Sequence, residues 1–540
     1  MGRSLYRGYL LFCSIWLSMI VLMAYITSVP MTNNQEYEQL NLKNEINNLK
    51  LENSKLKMKF GKTLTMKMSS KSTLIEPKLP YTMNDFLLRD HIKELKFFLQ
   101  KKLKDQPHLS KDINNRFQDI VSMDKRAQDT NGFSEWRQKE SDALHNMIKT
   151  RLHTLQHPKD CSTAKVVQCK LKDGCGFGCG VHHLLYCLIM AYALQRTLII
   201  DDGKFRYSKD GLKEFLRPVT PCTVGDLPMS VGEIYMNTLN SDRAQSDIIA
   251  NKQAVALPLI DGFGGELSKY LPYSVPRDLG ERLMNIHGHP IVWWIGHILS
   301  YIMTPNEQFQ KYLDDLKSQI QFKHPIVGVH VRRGDKIAQE AEFHALSEYM
   351  EKVDEYFKQL KHDGADINKM YVYIATDDPG VIKEAETKYP QYTYVLNSTN
   401  SRTTGHGGSQ YTSIGFRGIL TDILLLSQTD FLVCTFSSQV CRCAYEIMQT
   451  LHINAHDRFR SLDDSYYFGG SKGPIEAKVL YDHIPVDDKE VAMTANDIVN
   501  IAGNHWDGFS MVMSKGKRGL VPSYKIQKIT KLVPFPTYTI

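Results

Sequence analysis

The sequence predicts an α/β fold: two open sheets of strands alternating with helices, preceded by a helical stem and followed by an all-β tail. Four short apolar runs carry the central part of this expectation, because each ends in polar residues. Residues 197–200 stop at Asp201-Asp202, and 327–331 at Arg332-Arg333. Residues 371–375 stop at Thr376-Asp377-Asp378, and 431–434 at Thr435-Phe436-Ser437-Ser438. Buried strands that deliver polar side chains at their carboxyl ends are the mark of doubly wound parallel sheets. Upstream, apolar residues recur at helical spacing; downstream, short β-prone segments separated by turn residues take over.

The gross numbers agree with a globular body. A chain of 540 residues has room for two or three domains, and 42% hydrophobic with 23% charged residues is ordinary. The net charge of +7 is modest and includes a lysine-rich stretch at 55–71, which reads as a solvated linker. There is no basic stripe interleaved with aromatics, so nucleic acid is not expected as a partner.

The amino terminus sets the expected compartment. Residues 9–26 form an uncharged apolar run of 18 residues behind Arg3 and Arg7. That length is near the lower limit for a membrane-spanning helix, and the positive-inside rule then places the remaining chain in a lumen. A cleaved signal peptide is the rival, disfavoured by the length of the run and the lack of an Ala-x-Ala site. The expected organisation is a cytoplasmic tail at 1–8, a signal anchor at 9–26 and a stem at 27–160. An open-sheet α/β domain at 161–300, a second, Rossmann-like domain at 301–470 and an all-β module at 471–535 follow. Of ten cysteines, nine lie beyond the anchor, six between Cys161 and Cys222 and three at Cys434, Cys441 and Cys443. Such clusters suit local disulfides in an oxidising lumen; zinc is the alternative, but Cys175-Gly-Phe-Gly-Cys179 lacks a second well-spaced pair. An odd number leaves one thiol free. The sequon Asn397-Ser398-Thr399 is open to glycosylation in that compartment.

Within the stem, Leu42, Ile46, Leu49, Asn53, Leu56 and Phe60 alternate spacings of four and three. This is a short coiled-coil seam, with Asn53 at an a-type position that favours a parallel dimer; a solvated helical stalk is the alternative. A second helical region runs over 84–156, with Leu88, Ile92, Leu95, Leu99 and Leu103 on one face and Leu144, Met147, Ile148, Leu152 and Leu155 on another. In the tail, Val479-Leu480-Tyr481-Asp482-His483, Trp506 and Gly519-Leu520-Val521-Pro522-Ser523-Tyr524 resemble the ordered landmarks of an SH3 domain. Aromatics in that fold line a groove for Pro-rich helices. Ser523 replaces the usual asparagine, and the second tryptophan after Trp506 is absent.

Chemistry is expected where 327–331 ends. Charges at the end of a parallel strand point into the crevice where open sheets bind ligands. Two guanidinium forks there grip a diphosphate bidentately and offset the charge it gains as a leaving group. Taken together, the motif Arg332-Arg333-x-Asp335-Lys336, Ala375-Thr376-Asp377-Asp378, the serine-rich 434–442 loop, Tyr466-Tyr467-Phe468-Gly469-Gly470 and Gly503-Asn504-His505-Trp506-Asp507-Gly508 resemble the eukaryotic α-1,6-fucosyltransferases of N-glycan cores. The resemblance covers residue 161 to the end.

What it implies is specific. The fold is a two-domain, GT-B-like glycosyltransferase with a helical, coiled-coil stem and a carboxyl-terminal all-β SH3 domain. The activity is inverting transfer of fucose from GDP-β-L-fucose, in α-1,6 linkage, to the innermost asparagine-linked GlcNAc of N-glycoproteins. Arg332 and Arg333 hold the diphosphate with Ser438, while Asp422 accepts from the guanine edge near His330 and Tyr207. Glu340 is the general base, with Lys336 tuning or relaying its proton and Arg332 stabilising the leaving group. Asp261, Asp377, Asp378, Gln439 and His505 match acceptor-side positions. The pairs Cys161–Cys222, Cys169–Cys187, Cys175–Cys179 and Cys434–Cys441 are implied disulfides, leaving Cys443 free. No cofactor or divalent metal is expected, since the chain lacks Asp-x-Asp and the arginines supply the charge. A single-pass type II Golgi protein, dimeric through its stem, completes the expectation.

Gly334 replaces a common threonine, Asp173 replaces a lysine, and 265–271 lacks the prolines of vertebrate relatives. The rival readings are another GDP-fucose transferase acting on chitin-like oligosaccharides or protein hydroxyls, and a lumenal SH3 adaptor with an inactive, lectin-like body.

Overall fold

The computed structural model describes residues 83–130, 132–171, 176–203, 205–228, 230–234, 248–258, 269–271, 273–333, 342–397, 411–469, 475–504, 506–536 and 538. The expected anchor, the 42–60 seam, Cys175, Asp261, Lys336, Glu340 and His505 lie outside them. No described helix is long and apolar enough to cross a membrane. Contacts group the chain into two units, residues 1–80 with 120–131, and residues 81–119 with 132–540. Of the first, the described part is the helical stretch 120–130. The second unit holds everything else below.

Three helices begin the described chain: α1 (Met83–Lys102), α2 (Pro107–Thr130) and α3 (Phe133–Gln156). The expected face of α3 holds, with Leu144, Ile148 and Leu152 buried. On α1 the face is shifted: Phe86, Phe97, Leu99 and Leu103 are buried, whereas Leu88, Ile92 and Leu95 are only half-buried. The aromatic residues, missed by a leucine-only pattern, decide which side of α1 packs.

The first α/β region comprises β1 (Val166–Lys170), α4 (Phe177–Ala193), β2 (Thr197–Asp201), β3 (Val231–Glu233) and β4 (Ala254–Ala256). These strands form an all-parallel sheet in the order β2-β1-β4-β3. After it come β5 (Ser274–Pro276), α5 (Arg277–Ile286), α6 (Pro290–Ile302) and α7 (Glu307–Gln319). Pro290 opens α6 at a position whose N–H needs no intrahelical partner. Helix α6 is apolar almost all round, so it can only be an interior helix; Trp293, Trp294, Ile295, Ile298 and Leu299 are fully enclosed. Asn306 caps α7 by accepting from Phe309 N at 2.8 Å.

The second α/β region comprises β6 (Ile326–Val331), α8 (Leu346–His362), β7 (Tyr371–Thr376), α9 (Pro379–Lys388), β8 (Thr393–Leu396), α10 (Ser413–Ser427), β9 (Phe431–Cys434), α11 (Gln439–Met448) and β10 (Phe459–Ser461). All five strands are parallel, in the order β10-β9-β6-β7-β8. Every residue of β6 and β7 is buried, as continuous Val/Ile/Tyr runs require of strands covered on both faces. Helices α4, α6, α10 and α11 contribute to one apolar core shared by the two regions. Gly296 of α6 makes this close approach possible, because a Cβ there would collide with the Glu446 carbonyl of α11. Asn397, just beyond β8, is only 5% exposed.

The tail is an antiparallel sheet of β11 (Ile475–Val479), β12 (Ile498–Asn504), β13 (Phe509–Ser514), β14 (Lys517–Pro522) and β15 (Ile526–Lys528), ordered β14-β13-β12-β11-β15. Alternate residues Ala477, Val479, Val499, Val512 and Val521 fill its core. Its aromatic face is partly covered, with Trp506, Phe509 and Tyr524 half-buried. Helix α1 sets Phe97 against Trp506 at 5.7 Å, Phe98 against Phe509 at 6.2 Å and His91 against Tyr524 at 6.2 Å. Glu94 accepts from Asn504 Nδ2 at 3.1 Å. A last strand, β16 (Lys531–Val533), leaves the module to pair with β5.

Candidate active site

Chain order and strand order disagree most usefully between β6 and β9. Strands β6, β7 and β8 run to one side, and β9 and β10 to the other, so the topology reverses between β6 and β9. Open sheets bind ligands outside the carboxyl ends of strands at such a switch point. Arg332 and Arg333 follow β6 there, and the turn Thr435-Phe436-Ser437-Ser438 follows β9 into the amino end of α11.

Both arginines are held by the neighbouring strand. Arg332 Nη1 lies 2.5 Å from Asp377 Oδ2, and the Arg333 backbone N–H donates to Asp377 Oδ1 at 2.8 Å. Arg333 Nη1 also lies 3.6 Å from Asp378 and 3.5 Å from Glu384, with Phe343 across its face at 5.0 Å. The register His330↔Ala375 and Val331↔Thr376 puts the two strand ends level, so Asp377 meets the arginines directly. Asp378 has a second task, capping α9 through Gly380 N at 2.8 Å. The two aspartates therefore sit against the arginines that the sequence pattern had set apart from them.

The β9 side is stiffened separately. A Cys434–Cys441 disulfide closes the turn. Asp463 accepts from Phe436 N at 2.7 Å, Ser437 N at 3.0 Å and Ser461 Oγ at 2.7 Å. Ser438 stands at the cap of α11 without a side-chain capping bond, which leaves the helix amino end to other acceptors. Gln439, the first residue of α11, has its Oε1 3.0 Å from His182 Nδ1 on α4. Arg442 is buried and donates to the carbonyls of Tyr467 and Gly469 at 2.8 and 2.6 Å.

Asp422 is half-buried on α10 and accepts from Tyr373 Oη at 2.6 Å, so it is neither a cap nor a solvated residue. His330 is buried on β6; burial, with Arg332 beside it, holds its pKa down to about 4 against the pull of Asp377. Tyr207 packs among Phe177, Phe205, Tyr411 and Phe416, and burial raises its pKa. Sequence reasoning passed over Asp463, Tyr373, Glu384 and His182. Their only signal was polarity inside or beside apolar runs, since their partners are far away in the chain.

Disulfides Cys161–Cys222 and Cys169–Cys187 staple the first region. Cys179 is bonded too, Cys443 is free, and burial pushes the Cys443 thiol up. Two groups among the described residues have donor sets suited to a metal. In Cys169, His183 and Cys187 the sulfurs are spent in a disulfide. In His182, Cys443 and Glu446, the imidazole and carboxylate already pair at 3.1 Å.

Two arginines, a serine-rich turn and a helix amino end lie together at the switch point, an arrangement with the chemistry to receive an anion. The comparisons with known proteins narrow that class. Residues 31–467 match the family described as alpha-(1,6)-fucosyltransferase N- and catalytic domains, and 479–527 match a variant SH3 domain. The chain belongs to the alpha-(1,6)-fucosyltransferase family. It is 40% identical over 425 residues to the Drosophila melanogaster alpha-(1,6)-fucosyltransferase, covering 78% of this chain and 65% of that protein's length. It is 38% identical over 413 residues to the Caenorhabditis elegans alpha-(1,6)-fucosyltransferase, covering 75% and 71%. A crystal structure of NodZ alpha-1,6-fucosyltransferase soaked with GDP-fucose aligns at a TM-score of 0.33 and 16% identity, over 53% of this chain and 92% of the other.

Proposed function

We propose that this chain transfers fucose from GDP-β-L-fucose, in α-1,6 linkage, to the innermost asparagine-linked GlcNAc of N-glycans. The observation that carries the reading is the Arg332-Arg333 pair at the β6/β9 switch point, where β9 leads into the amino end of α11 and Ser438 makes no side-chain capping bond. Family membership supplies the sugar and the linkage.

In this reading Arg332 and Arg333 grip the diphosphate, Ser438 donates its hydroxyl, and the α11 amino end adds its partial positive charge. The transition state is loose and oxocarbenium-like, so stabilising the departing GDP matters more than a strong nucleophile. Attack opposite the leaving group inverts the anomeric carbon. Glu340 removes the proton of the acceptor hydroxyl, Lys336 tunes or relays it, and Asp422, His330 and Tyr207 receive the guanine. Asp261, Asp377, Asp378, Gln439 and His505 face the acceptor sugars, with Asp377 also setting the direction of the Arg332 fork. No divalent metal takes part, because the chain lacks Asp-x-Asp and guanidinium groups offset the phosphate charge. The 9–26 run supports a type II Golgi anchor, and the seam around Asn53 supports dimerisation through the stem.

Turnover of GDP-fucose on a biantennary glycopeptide, with and without EDTA, tests the proposal. Equal rates in both arms are expected. Loss of activity with EDTA would overturn metal independence, and turnover only on chitin oligosaccharides or on protein hydroxyls would overturn the acceptor. Absence of turnover on every acceptor would favour the adaptor reading.

A further inference from the structure

A buried polar network joins α4 to α11 directly behind the candidate site. His182 of α4 has Nδ1 2.7 Å from Gly178 O and 3.0 Å from Gln439 Oε1, and Nε2 3.1 Å from Glu446 Oε1. Oxygens therefore face both ring nitrogens, and a neutral imidazole would leave one lone pair against an oxygen. The imidazolium donates on both sides: Nε2–H to Glu446, and its single Nδ1–H shared between Gly178 O and Gln439 Oε1. Glu446, 0% exposed, also accepts from Tyr466 Oη at 2.6 Å. Burial alone would lower the His182 pKa, but the Glu446 carboxylate, with Cys443, outweighs it and raises it to about 10.

Packing leaves this network no slack. A Cβ on Gly178 would meet Gln439 Cβ at 2.7 Å, and one on Gly296 would strike the Glu446 carbonyl. Stability is a weak reason for such a pair, since desolvating two charges roughly cancels their attraction. What the pair does settle is the direction of one amide. With Oε1 of Gln439 facing the His182 Nδ1–H, which it shares with Gly178 O, the amide NH2 is the end turned away from α4.

We propose that His182, held by Glu446, is a positioning residue that orients Gln439 so that its amide donates to an oxygen of the acceptor sugar. This rests on the fucosyl-transfer reading above. His182 touches no substrate; it acts through Gln439, at the position next to Ser438.

The test is a kinetic cycle on the full chain with His182→Phe, Glu446→Gln, Gln439→Ala and the double variant His182→Phe/Gln439→Ala. Phenylalanine keeps the ring packed on Phe468, which lies 5.3 Å from His182. Each single change should raise the acceptor KM about five- to tenfold, the size of one lost hydrogen bond, while GDP affinity stays within about twofold. The double variant should be no worse than Gln439→Ala, because the two residues act as a unit. Unchanged acceptor KM in Glu446→Gln or His182→Phe overturns the proposal, as do losses that multiply in the double variant. A fall in kcat alone, matching a smaller folded fraction, also overturns it. If His182→Phe does not fold, Glu446→Gln decides by the same acceptor KM. A wild-type chain without fucose transfer would instead remove the reading on which the proposal stands.

Discussion

Arg332 shows how one residue is prepared for an anion. Its partner Asp377 is 6% exposed and also binds the Arg333 backbone, so the carboxylate is fixed and the guanidinium is aimed by it. Arg332→Ala should lower kcat/KM by at least about 100-fold, near 3 kcal/mol of transition-state stabilisation, measured by steady-state kinetics. Arg332→Lys keeps the charge but not the planar fork, and should fall between. Near-normal turnover in the alanine variant would remove the diphosphate role. At this scale the arginines were legible because two charges follow an apolar strand. Asp463 was not: the N–H groups it accepts from belong to Phe436 and Ser437, a whole helix earlier in the chain.

Elements meet in this protein where glycine lets them. Gly296→Ala puts a methyl group into the Glu446 carbonyl, and backbone cannot swing aside as a side chain can. A loss of about 2 kcal/mol in unfolding free energy is expected by denaturant titration, within the range of overpacked cores. An unchanged midpoint would mean that α6 and α11 separate easily. Helix α1 and the SH3-like sheet make the second contact of consequence. Because Phe97, Phe98 and His91 cover Trp506, Phe509 and Tyr524, a Pro-rich peptide added to the full chain should not perturb Trp506 fluorescence. Saturable quenching by such a peptide would mean that the α1 contacts leave the groove accessible. Phe97→Ala should cost about 3 kcal/mol of stability, as for other large core truncations. The β-strands were readable one by one from alternation and apolar runs. That α1 lies across the tail module was not, because each partner surface is amphipathic and compatible with many others.

Across the whole molecule, buried histidines set the response to acid. Burial holds His297 and His456 down to about 3 and His330 to about 4, whereas the unfolded chain titrates near the usual 6.5. Between those values the unfolded state binds more protons, so the contribution of these three histidines is full above 6.5 and falls as the pH drops toward 4. The slope is up to about 1.4 kcal/mol per pH unit for each such histidine. His182 has the opposite sign: its raised value means a contribution present below 6.5 and lost as pH rises toward 10. Urea midpoints at pH 7.5 and 5.0 should show the acid loss, and His297→Phe should reduce it; a flat profile would contradict neutral burial.

Residue types and their local order were enough to determine the α/β class, the polar strand ends, the SH3-like tail and the arginines, because strand patterning and strand-end chemistry are written within a few residues. Only the tertiary structure decided that β6 and β9 are neighbours, that Asp377 aims Arg332, and that His182 reaches Gln439 from another helix. Those relations depend on which surfaces bury each other, and burial is a property of the packed chain rather than of any one stretch of it.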